Sequence, residues 1–137
     1  MNLTDLAILD WVLINNTPHR IQAIDSIDAE MQADDELYYI GEDRCHSEDK
    51  IEGIPLTPEI LEKNGIKNRD DKYIISGQDD AGQWYITLKD FKPQFDFWFI
   101  KSSNRNLNVR GQIRYVHEFQ HVLRLVGLIE LANNFKI

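Results

Sequence analysis

The stretch KYIISGQDDAGQWYITLK, residues 72–89, decides the fold class. Residues 72–76 and 84–89 are short apolar bursts, and Gln78-Asp79-Asp80-Ala81-Gly82 between them has the composition of a hairpin turn. Working outward, 95–101 adds another aromatic strand. Towards the N-terminus, 9–15 reads as a strand rich in Trp11, Val12 and Ile14, stopped by Asn15, Asn16, Thr17 and Pro18. Residues 19–27 alternate apolar and polar positions, which pairs this burst with its predecessor as a hairpin. A third candidate strand is 37–40, and the polar run 41–50 reads as a long exposed loop. An antiparallel meander is the economical arrangement of these pieces.

Two helices complete the pattern. After the apolar segment 51–56, Thr57-Pro58-Glu59 supplies a cap residue, a first-turn proline and an early acid, and Asn64-Gly65 supplies the left-handed stop. Near the C-terminus, Tyr115, Phe119, Val122 and Val126 recur at i, i+4, i+7 and i+11, broadened by Val116 and Leu123, so 115–126 is an amphipathic helix with Gly127 as its stop. Its opposite face, with His117, His121 and Arg124, is read as solvated, and 128–137 as a loose turn or tail. The expected fold is α+β: an antiparallel twisted sheet or small barrel with one short helix, and the C-terminal helix packed on it to bury its stripe.

Composition bounds the rest. A chain of 137 residues, 42% hydrophobic and 28% charged, is expected to fold alone as one domain, 1–137. Cys45 is the single cysteine, so no disulfide forms within the chain, and a reducing, cytoplasmic setting is expected. The N-terminal residues lack the basic segment of a secretory signal, and no apolar run is long enough to span a bilayer. The net charge of −8 argues against general affinity for nucleic acid. That average hides an asymmetry, because 25–62 carries thirteen acids against Arg44 and Lys50 while 97–137 carries six bases against Glu118 and Glu130.

One motif carries chemistry. His117-Glu118-Phe119-Gln120-His121 matches H-E-x-x-H, whose spacing brings two imidazoles to one side of a helix to share a zinc ion while the glutamate polarises the bound water. A catalytic zinc wants a third protein ligand. The extended pattern would place glycine at Arg124 and histidine at Gly127, and neither is there. Glu130 is too close in sequence to serve as the acid of a further helix, which leaves His19, His46, Cys45 or an acid of the polar loop as third-ligand candidates.

The segments DLAILDWVL (5–13), IPLTPEILEKNGI (54–66) and IRYVHEFQHVLRLVG (113–127) resemble a family of uncharacterised proteins from Bacteroidetes genomes and their phage-like mobile elements. The first anchor departs from the usual wording at Ala7 and Leu9-Asp10. The resemblance implies an origin and transfers no catalytic residue. The leading functional expectation is therefore a non-catalytic accessory or interaction protein without a cofactor. Its candidate surface is the acidic span with Asp34, Asp35, Glu42 and Asp43 beside Tyr38 and Tyr39, suited to a basic protein partner. The alternative is a zinc-dependent hydrolase with His117 and His121 as ligands and Glu118 as base.

Overall fold

The computed structural model describes residues 6–25, 30–33, 36–39, 51–80, 82–102 and 107–137. In chain order these form β1 (Trp11–Ile14), β2 (Thr17–Asp25), β3 (Glu30–Ala33), β4 (Glu36–Tyr39), β5 (Ile51–Gly53), α1 (Pro58–Lys63) and β6 (Lys67–Arg69). There follow β7 (Lys72–Asp79), β8 (Gly82–Phe91), β9 (Gln94–Lys101), β10 (Leu107–Ile113), α2 (Val116–Leu125) and α3 (Ile129–Asn133). The class is α+β with antiparallel strands, divided between two five-stranded sheets ordered β4-β3-β2-β1-β5 and β10-β9-β8-β7-β6. Among the described residues neither sheet closes into a barrel, since its end strands each pair on one side only. None of these helices is long and apolar enough to cross a membrane. The chain's contacts separate two compact units, Met1–Pro55 with Tyr115–Asn133 and Leu56–Arg114 with Asn134–Ile137.

In the first unit, Asn15 and Asn16 both take positive φ, 50° and 68°, and join β1 to β2 by a two-residue loop. Asparagine tolerates this left-handed geometry, and such a turn matches the twist of the paired strands. Alternation along β1 turns Val12 and Ile14 inward, where they meet Leu6, Ile21 and Ala33 in one buried cluster. Beside this sheet, α2 buries Val116, Phe119 and Leu123, so its apolar stripe is covered as its periodicity requires. The 54–55 segment leads to it: Val116 N–H donates to Ile54 O at 2.8 Å, and Pro55 bridges Tyr115. Gly53 is required here. A Cβ on it would lie 2.6 Å from the Tyr115 ring and 3.0 Å from His117 Cε1.

In the second unit the same turn chemistry recurs at Asp70-Asp71, with φ of 52° and 66°, between β6 and β7. Strands β7 to β9 are long and pair continuously, burying Tyr73, Ile86, Leu88, Phe95, Phe97 and Phe99 on one face. The Tyr73 and Phe95 rings meet edge to face at 6.1 Å. Helix α1 starts as its residues dictate, with Thr57 Oγ1 accepting from Ile60 N–H at 3.3 Å and Pro58 in the first turn. It ends at Gly65, φ 77°, and Asn64 then clasps Lys136 by two bonds of 2.8 Å each, holding the 134–137 segment to the helix.

Several elements differ from the sequence reading. Strand β1 begins at Trp11 rather than at Leu9, because Leu9 takes a φ of 72° in a turn. Strands β3, β5, β6 and β10 and helix α3 were not expected. β6 is the exposed tripeptide Lys-Asn-Arg, whose pairing leaves no hydrophobic pattern, whereas in β10 Leu107, Val109 and Ile113 alternate with Asn108, Arg110 and Gln112, a period-2 signal that the sequence reading passed over. The expected polar loop at 41–50 lies outside the described residues.

The cores make Phe99→Ala, at a fully buried site, an expected loss of about 3–5 kcal/mol in urea unfolding. Gly53→Ala should cost about 1–3 kcal/mol, since the Tyr115 ring must move to admit one methyl group.

Candidate functional site

The chemistry-bearing residues of α2 converge on Asp10, an acid set within an apolar strand entry and fully buried. Its Oδ1 accepts from Arg124 Nη1 at 2.7 Å, and its Oδ2 lies 2.6 Å from His121 Nε2. The Ala7 N–H also donates to Oδ2 at 2.8 Å, so both carboxylate oxygens are engaged. A carboxylate out of water requires such compensation, and the arginine supplies a full opposing charge. One turn of helix separates His121 from Arg124, which lets a single carboxylate take both.

Gln120, also fully buried, completes the clasp. Its Oε1 accepts from Trp11 N–H at 3.0 Å, while Nε2 donates to Leu9 O at 2.9 Å and Ala132 O at 3.1 Å. One amide thus satisfies backbone groups on the β1 entry and on α3. The Leu9 carbonyl also accepts from Arg20 Nε at 3.2 Å, and Leu9 N–H donates to Ile21 O at 2.7 Å. These bonds hold Leu9 in a left-handed conformation that costs a leucine roughly 1–2 kcal/mol. The Arg20 guanidinium lies 5.7 Å from the centre of the Trp11 ring. Burial, and then the charge of Arg124, draw its pKa below the ordinary arginine value.

This geometry corrects the reading of the histidine face as solvated. His117 is buried, stacked on Tyr115 with ring centres 5.7 Å apart and planes 10° from parallel. His121 and Arg124 are half-buried against Asp10. The two imidazoles stand edge to face, 5.8 Å between centres. Glu118 Oε1 accepts the Tyr115 N–H at 2.8 Å, the back-bond of an N-terminal cap. A metal seeking His121 Nε2 would meet Asp10 already there and the Arg124 cation beside it. Among the described residues no group of three His, Cys, Asp or Glu side chains is placed to hold a metal ion.

The chain matches no family model, curated protein or solved structure. Its own geometry is therefore the ground for a functional reading.

Of the other candidates, His19 lies in β2, paired with Val12, while Cys45 and His46 fall outside the described residues. Asp34, Asp35, Glu42 and Asp43 also fall outside them, and Tyr38 and Tyr39 lie in β4, where the backbone alone is described. Sequence reasoning missed Asp10 and Gln120. A signal for the first was present, since a lone acid in LAILDWVLI demands a buried cation if the run is buried.

Asp10→Ala should cost about 3–5 kcal/mol in urea unfolding, because it takes the opposing charge from the half-buried Arg124 and leaves the Ala7 N–H without its acceptor. Gln120→Ala should cost about 1–3 kcal/mol through the unmet Trp11 N–H. If Asp10→Ala unfolds at the wild-type midpoint, the clasp contributes nothing.

Proposed function

We propose that the protein is a non-catalytic accessory or interaction protein of a phage-like mobile element. The single observation in support is that each polar side chain of the H-E-x-x-H motif already has a structural task. His121 Nε2 faces Asp10, Glu118 caps its own helix, and His117 is packed under Tyr115. A hydrolytic zinc site needs these groups open to metal and water. The mobile-element origin rests on the resemblance of the three anchors alone. In this reading the acidic span with Asp34, Asp35, Glu42 and Asp43 docks a basic protein partner, steered by charge.

Metal analysis tests the non-catalytic part. Protein purified without a histidine tag should carry far less than one zinc per chain, and His121→Ala should lower stability without releasing metal. Near-stoichiometric zinc, lost on His121→Ala and retained on Glu118→Ala, would establish the hydrolase instead. For the docking part, replacing Asp34, Asp35, Glu42 and Asp43 with lysine should abolish capture of the partner in a pull-down. Binding by the native chain should also weaken steeply with salt, as exposed charges are screened over about 8–10 Å.

A further inference from the structure

The second sheet has an outward face whose composition differs from that of the chain as a whole. Cross-strand register places Lys72, Lys89, Asp96 and Gln112 in one row, and Ile74, Thr87, Trp98 and Arg110 in the next. Strand β6 extends these rows with Arg69 opposite Lys72 and Lys67 opposite Ile74. Five cations and one acid thus share these rows. Tyr85 and Trp98 stand on the same face, 41% and 38% exposed. The Arg110 guanidinium lies 4.2 Å from the centre of the Trp98 ring, and Trp98 Nε1 donates to Asn108 Oδ1 at 2.7 Å, which fixes the indole. Lys72, Thr87, Lys89, Trp98, Arg110 and Gln112 help line a concavity of about 460 Å³.

Folding explains only part of this arrangement: Lys89 faces Asp96 across the strands, and its ammonium lies 4.9 Å from the centre of the Phe91 ring. Lys72 sits directly opposite Lys89, and like charges in that position destabilise a sheet. Among the described residues Lys72, Lys89 and Arg110 enter no ion pair. The segments of this unit hold eleven Lys and Arg against eight Asp and Glu, so it is net positive within a chain of net charge −8. The whole-chain average that argued against nucleic acid is made by the other unit, with fifteen acids and four bases.

We propose that this face binds single-stranded nucleic acid. The Trp98–Arg110 stack, with Tyr85 in the adjacent row, offers planes on which unpaired bases lie, and Lys72 and Lys89 take the backbone phosphates. An acidic peptide would use the cations and leave the indole idle, and a duplex would keep its bases from the ring. The face spans five strands, roughly 19 Å at the spacing of a sheet, enough for a few nucleotides. The site shares no residue with the histidine helix or the acidic span, so its test and theirs are separate.

The test is fluorescence anisotropy with a short labelled oligothymidylate and an oligouridylate at low salt, on the full chain. Both should bind, with log K falling against log salt at a slope of about −1.4 to −2, as for two or three phosphates. Trp98→Ala should weaken binding roughly tenfold, and Trp98→Phe should largely restore it, which separates loss of the ring from loss of the fold. The double change Lys72→Glu with Lys89→Glu should weaken it by about tenfold or more, and Asp96→Asn should tighten it. No binding at low salt, affinity indifferent to Trp98→Ala, or an equal affinity for polyglutamate or for duplex would each overturn the proposal.

Discussion

The Asp10 carboxylate is the constraint on which the first unit turns. A charge at zero exposure is tolerable only if opposite charge and hydrogen bonds surround it, and here α2 supplies both through Arg124 and His121. That requirement fixes which way the helix presents its polar residues to the entry of β1. Gln120 then falls opposite Leu9 and Trp11, and Phe119 and Leu123 are turned into the apolar core. The left-handed Leu9 and the glycine at position 53 are local consequences, since each permits an approach that ordinary backbone or an added methyl would block. A buried ion pair is weak evidence for high stability, but it discriminates strongly among packings, because any other orientation of α2 would strand the charges.

Much of this was legible in the sequence, and the parts that were not share a physical cause. Elements that announce themselves by burial or capping were found: the β7–β8 hairpin by its apolar bursts, α1 by Thr57-Pro58 and Asn64-Gly65, and α2 by the spacing of Phe119, Val122 and Val126. Elements defined by backbone pairing alone were not, as the exposed Lys67–Arg69 strand illustrates. The helix was placed correctly, but its histidine face was given to solvent because polar residues usually go there. What reversed that was a single residue more than a hundred positions away in the chain. No periodicity within α2 encodes Asp10, although an acid inside an apolar run was itself a sign of a partner.

Charge is distributed by unit rather than by chain. Acids dominate the segments built around β1–β5, while bases accumulate on one face of β6–β10, where register sets them side by side. A mean over the sequence cancels this contrast, and the antiparallel pairing makes it visible. The same pairing orients aromatic residues by parity: Phe97 and Phe99 go inward because Trp98 goes outward. A shift of one residue in the β8–β9 register would exchange the core for the surface, so the exposed indole and the buried phenylalanines are specified together.

The division into units also bears on synthesis. The strands of β6–β10 are neighbours in sequence and joined mostly by short turns, so this meander has its partners at hand once residue 114 has emerged from the ribosome. Both units are interrupted in sequence, the second only by its short 134–137 segment, whereas in the first β1–β5 are made early and α2 only after the whole intervening segment. Through that interval Asp10 and Leu9 lack Arg124, His121 and Gln120, and the first sheet waits with its charged residue unmatched. Vectorial translation thus completes the strands of both sheets before the β1 region acquires the helix that carries its counter-charge.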